Sequence, residues 1–382
     1  MRSALRITLA TASAVAAAAL FASPALAAPP HAANPPGSSV GASSAVFVQT
    51  DGLGGNAVVA YDRAADGTLH QAGTYPTGGV GGALAGSVVD HLASQGSLAY
   101  DRGLLYAVNA GSDTVTVFAV HGDQLVRLQV ISSGGAFPVS ITTHGRLVYV
   151  LNARDGGSVQ GFVRAGGGLV RIPGWNRPLG LDPTLTPEFT HTPGQVSFTP
   201  DGSQLVVTTK ADGSAIDVFN LNGLGGLAQR PTVNVEPGAV PFAVSFDAGG
   251  HLLVAEAGTN AVASFAIAPN GTVTPITTAA TGQPATCWIA RSGSLFYASN
   301  AGGPSLSGYA DAGSGALTPV SLTATDPGTV DAASSPDGHY LYVQTGANGI
   351  VDEFRVNPDG SLTAIGSVTV PDGVGGEGIV AQ

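Results

Sequence analysis

The chain has 382 residues, with 55 glycines, 25 prolines, only 10% charged side chains and a formal net charge of −11. A 44% hydrophobic content excludes a disordered chain, and the Gly, Pro and β-branched bias argues against a helical one. A single lysine, Lys210, and no basic cluster exclude nucleic acid as a partner and leave little to hold an anionic ligand.

The first element in chain order is an export signal. Arg2 and Arg6 precede an apolar stretch over 9–21, and Ala25-Leu26-Ala27 supplies a small-x-small cleavage pattern. Residues 1–27 are therefore expected to be a signal peptide and 28–44 (Ala, Pro, Gly and Ser) a flexible leader. Cleavage would remove two arginines and take the net charge from −11 to −13. The mature chain is expected to be secreted. No later stretch reaches the roughly 18 apolar residues of a membrane span. Cys287 is the one cysteine, so no intrachain disulfide is possible, and within "CWI" it reads as a small buried hydrophobe.

From residue 45 onward one unit recurs. Its clearest part is a strand ending in a small or polar residue: "VFVQT" ending at 50, then "LYAVN" at 109, "VYVLN" at 152, "LVVTT" at 209, "LLVAE" at 256, "FYASN" at 300 and "LYVQT" at 345. The spacings are 59, 43, 57, 47, 44 and 45 residues. Tight turns such as "TPDG" and "SPDG" come before these strands. Third strands such as "TVTVFAV" and "IVDEFRV" follow, then "PNG" or "PDG" turns and a fourth strand. Four antiparallel strands per unit of about 45 residues is the pattern of a propeller blade. Seven units predict an all-β fold, a seven-bladed β-propeller over 45–382.

The ends suggest how the ring closes. The first unit begins with its second strand, and "GGEGIVAQ" at the C-terminus has the form of a first strand with nothing after it. The C-terminal strand is expected to complete the N-terminal blade, which removes an open edge. Two connections are long, 77–96 and 174–195, and both belong on the face that carries the loops after the second strands. Long loops in a compact fold are functional or decorative. The "GGVGG" within the first has no helix after it to cradle phosphate and reads as a flexible loop.

Blade motifs such as "LYAVNAGSDTVTVFAV", "VSFTPDGSQLVVTTKADGSAIDVF" and "LLVAEAGTNAVASFAIAPNGTVT" resemble those of the lactonase family of seven-bladed propellers, which includes 6-phosphogluconolactonases and carboxymuconate cyclases. YVTN-type propellers share the second-strand pattern. The resemblance implies a small-molecule hydrolase site on the face of the long loops. It also implies a His-x-His segment before an inner strand, where this chain has Thr192, Pro193 and Gly194 with His191 beside them. An expected Asp-Arg pair falls at Asp212 and Gly213, and an arginine often found in the sixth unit is Ala301. The family's glutamate in the fifth unit is kept as Glu256.

Lactone hydrolysis needs a base for water and a cation or N–H for the developing oxyanion. Glu256 and His191 are the catalytic candidates. Glu188, Gln195, Lys210 and Arg154, with the strand-ending Asn109, Asn152 and Asn300, are the candidates for holding substrate. Asp90 and His91 adjoin, but no HxH or HExxH spacing exists, so neither a metal site nor a cofactor is expected. No GxSxG or Walker motif is present. Two readings stay open. One is an exported lactonase-type hydrolase, and the other a non-catalytic propeller that binds a small molecule, glycan or protein at the same face. Either is expected to be a monomer, free of membrane once the signal is removed.

Overall fold

The computed structural model describes residues 44–382, so the expected signal peptide and all but the last residue of the expected leader lie outside the described residues. The described chain folds into seven four-stranded antiparallel sheets arranged as blades. All seven recurring segments are second strands, from Ala45–Gln49 in blade one to Tyr340–Thr345 in blade seven. Ile379–Ala381 pairs antiparallel with Ala45–Gln49 and supplies the inner strand of blade one, so the ring closes as the sequence predicts. Among the described residues no helix is long and apolar enough to cross a membrane.

The sequence pattern explains how blades pack. Second and third strands are buried almost throughout, while fourth strands alternate between covered and exposed residues. Period-2 alternation is what one buried face requires. In six blades the pairing of third and fourth strands shifts register immediately before an aromatic residue: Tyr61, Phe118, Phe162, Phe265, Tyr309 and Phe354. A bulge sharpens the local twist, and each of these rings is buried. The buried aromatic of the third strand thus marks the hinge of its blade in these six.

A second repeated contact joins one blade to the next. Tyr149 of blade three donates its hydroxyl to the Gly225 carbonyl of blade four at 2.6 Å, and Tyr297 of blade six to Gly360 of blade seven at 3.1 Å. Tyr342 of blade seven repeats the bond to Gly67 of blade one at 2.8 Å. Gly67 has φ of +94°, and a Cβ there would run into the Tyr340 ring. Only glycine suits such a turn without cost.

The two long connections differ from expectation in one respect. The outer strand of blade three runs Gly168–Pro178, so residues 174–178 belong to it. Trp175 then stacks on Tyr149, with ring centroids 6.2 Å apart. The true connection is 179–195, and it contains a short helix, Glu188–His191.

Candidate functional site

Both long connections lie over the top face and are tied together. Ala85 N–H donates to Glu188 Oε2 at 2.7 Å, and Gln95 N–H donates to the Gly194 carbonyl at 3.1 Å. Arg154, just past the second strand of blade three, grips Glu188 with two bonds, Nε to Oε1 at 2.6 Å and Nη2 to Oε2 at 3.1 Å. Its guanidinium lies 4.2 Å from the Phe137 ring centroid, which fixes its plane. That grip holds the Glu188 carboxyl below its ordinary range.

The Arg154–Glu188 pair borders a pocket of about 170 Å³, also lined by Asp155, Asp182, His191 and Thr192. His191 Nδ1 is 2.9 Å from the Pro187 carbonyl and 3.0 Å from Thr190 Oγ1. A carbonyl only accepts, so Nδ1 carries a proton, and Nε2 is the lone-pair nitrogen of the neutral ring. Three of the sequence candidates, Arg154, Glu188 and His191, therefore meet in one pocket.

The other candidates are placed elsewhere. Glu256 ends the second strand of blade five, 5% exposed, with Oε2 accepting from Thr259 Oγ1 at 2.7 Å, and it does not line the His191 pocket. Burial raises its pKa. Gln195 accepts the Val244 N–H at 2.6 Å and fastens blade four to blade five. Asn109, Asn152 and Asn300 turn inward to hydroxyls of their own third strands: Thr114 and Thr116, Ser158, and Ser305 and Ser307. Their recurrence at one blade position is itself the signal of a structural part.

Lys210 is 1% exposed. Its ammonium donates to the Ala93 carbonyl at 2.7 Å, the Phe189 carbonyl at 2.5 Å and Thr192 Oγ1 at 3.0 Å. The chain's one lysine thus clamps both long connections, with all three donors spent. Burial brings its pKa down to about 7, against the pull of Asp90.

The propeller axis is filled by the first long connection. Ser94 accepts Trp288 Nε1–H at 2.5 Å through its carbonyl, while Gln95 exchanges two bonds with the Ile289 backbone at 2.9 and 3.0 Å. Ser94 Oγ donates to the Val139 carbonyl at 2.9 Å, and Ser140 Oγ to the Gln95 carbonyl at 2.7 Å. Around this plug four carboxyls are buried: Asp51, Asp90, Asp331 and Glu377. Asp90 is held by the Leu92 and Ser94 N–H groups at 2.7 and 3.0 Å, and Glu377 by the Gly96 N–H at 3.0 Å. Asp331 accepts the Ala332 N–H at 2.9 Å, and Glu377 N–H donates to Asp51 Oδ2 at 2.8 Å. Burial lifts Asp51 to about 8 and Asp90 and Asp331 to about 7. Glu377 is raised as well, by burial first and then by the charges of Asp331, Asp90 and Asp51. Sequence reasoning missed Asp51, Asp331 and Glu377; only the glutamate inside "GGEGIVAQ", beside a strand that must be buried, gave any sign. Among the described residues no group of three or more His, Cys, Asp or Glu side chains is arranged to hold a metal ion.

Ring, axial plug and top-face pocket define a seven-bladed propeller with its candidate site beneath the connection between blades three and four. The sequence pattern of the family named "Lactonase, 7-bladed beta-propeller" matches residues 183–375. The chain belongs to that lactonase family of seven-bladed propellers. Among solved structures, a candidate 6-phosphogluconolactonase from Bacteroides fragilis is 21% identical with a TM-score of 0.71, over 91% of this chain and 99% of that one. A candidate 6-phosphogluconolactonase from Bacteroides uniformis is 18% identical with a TM-score of 0.69, over 90% and 100%. The periplasmic gluconolactonase of Pseudomonas aeruginosa is 19% identical with a TM-score of 0.70, over 88% and 98%. At these identities the likeness is one of fold. A sequence search of curated proteins finds no match.

Proposed function

We propose that the chain is a hydrolase of a small lactone and that the pocket beside the Arg154–Glu188 pair is its site. What supports this is the meeting of His191, whose Nδ1–H is held by the Pro187 carbonyl, and Arg154, whose Nη1 has no hydrogen-bond partner among the described residues. About 170 Å³ suits a ring of roughly ten heavy atoms. His191 Nε2 takes a proton from water as its oxygen attacks the lactone carbonyl. Arg154 holds the oxyanion. The intermediate collapses by breaking the ring C–O bond, and the leaving alkoxide recovers the proton from the imidazolium, giving the hydroxy acid. Glu188 positions the guanidinium.

The test is a panel of five- and six-membered lactones, plain and polyhydroxylated, with the wild type beside His191→Gln, Arg154→Met and Glu256→Gln. His191→Gln is expected to lower kcat/KM by about 10²–10⁴ and Arg154→Met by about 10²–10³. Glu256→Gln should stay near wild type. Wild-type turnover no faster than buffer, or full activity in His191→Gln, would sink the mechanism. Saturable binding without turnover would point to the non-catalytic propeller instead.

Export is part of the same reading. It rests on Arg2, Arg6, the apolar 9–21 and Ala25-Leu26-Ala27. Intact mass of the protein from culture medium or periplasm should begin at Ala28; a mature chain retaining Met1 would remove this part of the reading.

A further inference from the structure

A second cavity, of about 300 Å³, lies beside the axial plug and takes Phe189 in its lining, where the first takes Glu188 and His191. Its walls are Phe189, Phe242, Trp288 and Cys287, with Asp90 also lining it and Val88, 84% exposed, at its edge. The walls come from three distant parts of the chain. Phe242 and Trp288 are inner-strand residues of neighbouring blades, with ring centroids 4.8 Å apart and planes tilted by 58°. Phe189 belongs to the short helix that also carries Glu188 and His191.

The polar groups at this cavity are already engaged. Both Asp90 oxygens accept backbone N–H groups, and Trp288 Nε1–H is given to Ser94. Lys210, 5.4 Å from the Phe242 ring centroid, has its three donors bound. Cys287 is a weak donor in an apolar setting, with its thiol pushed up to about 12 by burial. A charged or polyhydroxylated guest would lose its water here and gain no partner in return. A neutral ring would bury its faces against three aromatic walls.

We propose that this cavity is a binding site for a small neutral aromatic or alicyclic molecule of roughly ten to fifteen heavy atoms. The proposal does not depend on the lactone chemistry at His191. It separates the top face into two compartments of opposite character: a polar one with a cation and a base, and an apolar one whose charged neighbours, Asp90 and Lys210, are already hydrogen-bonded to protein.

Trp288 and Cys287 provide two independent reporters. In a Trp175→Phe background, Trp288 is the only tryptophan left in the chain. The probe is 4-nitrotoluene, a neutral quencher with ten heavy atoms, and glucono-δ-lactone is the polar control of similar size. Saturable quenching by 4-nitrotoluene, absent with gluconolactone, is expected. Ala301→Leu fills the cavity from its lining and should weaken binding at least tenfold without lowering Tm. If that variant does not fold, Cys287 gives the second measurement in unsubstituted protein. Its modification by methyl methanethiosulfonate should slow several-fold under saturating 4-nitrotoluene. Quenching that stays linear with probe overturns the proposal. So does saturable quenching that persists in folded Ala301→Leu, or a thiol rate indifferent to the probe.

Discussion

Removal of residues 376–382 is expected to leave a chain that does not reach the native fold at 37 °C. The deletion takes away the inner strand of blade one and bares the edge of Ala45–Gln49, whose partners are Ile379, Val380 and Ala381. It removes the buried Ile379 and the bonds from Gln49 N–H to the Gly378 carbonyl and from Gln382 N–H to the Ala45 carbonyl. It also strips Glu377 from the Gly96 N–H and Ser94 hydroxyl of the plug. Burial of one large aliphatic side chain is worth about 2 kcal/mol, and each buried hydrogen-bonding group left without its partner costs about 1–3 kcal/mol. Together these approach the whole stability of a typical domain, about 5–15 kcal/mol. Circular dichroism and thermal melting of the truncated chain are the check. A Tm within about 5 °C of the full chain would show that closure carries little of the stability.

The second large effect is on pH. Asp51, Asp90, Asp331 and Glu377 all have pKa values raised by burial, so the folded chain binds protons that the unfolded chain has already released. Their stabilising contribution is complete below about pH 4 and is lost as pH climbs through about 7 to 8. Lys210 works in the opposite sense, because its depressed pKa makes the fold release a proton near 7 that the unfolded chain keeps. Four acids outnumber one lysine. Stability is therefore expected to fall from pH 5.5 upward, most steeply up to about pH 7, where the net linkage is at least one proton, about 1.4 kcal/mol per pH unit. Surface carboxylates with lowered pKa values, such as Asp182 and Asp359, act only at lower pH and leave this window alone. Glu377→Gln keeps the shape and removes one like charge. It should flatten the slope and raise Tm at pH 8.5 relative to wild type. A Tm that is flat or rising over this range, or an unchanged slope in Glu377→Gln, would mean that the carboxyls are solvated and ordinary.

The blades were legible because a repeat states the same local instruction seven times. A "PDG" or "TPDG" turn and a period-2 strand carry their structure within ten residues, and each copy corroborates the others. The closing strand was legible for a related reason, since a unit lacking its first strand and a terminus lacking its partners call for each other. The contents of the axis were not legible. Gln95 bonds to Ile289 across 194 positions and Gly96 to Glu377 across 281, and no periodicity announces such pairings. Lys210 shows the limit most plainly. Its place after a second strand puts it on the correct face, yet a backbone φ of +50° and three waiting acceptors turn the side chain inward. Arg154 comes two residues past Asn152 in the preceding blade, where Lys210 comes one past Thr209, and its side chain reaches to Glu188. Being on the same face told nothing of which cation would be buried.

The hydroxyl bond from Tyr342 to Gly67 has a consequence for the order in which the gene encodes the blades. Chemically it is the same junction as Tyr149 to Gly225 and Tyr297 to Gly360, though its partners lie at opposite ends of the polypeptide. The interlock is therefore indifferent to which blade is synthesised first. Ala45 and Gln382 are themselves hydrogen-bonded neighbours. A circularly permuted chain, spliced at that point and cut open between any two blades, would retain every one of these junctions and differ only in where translation begins.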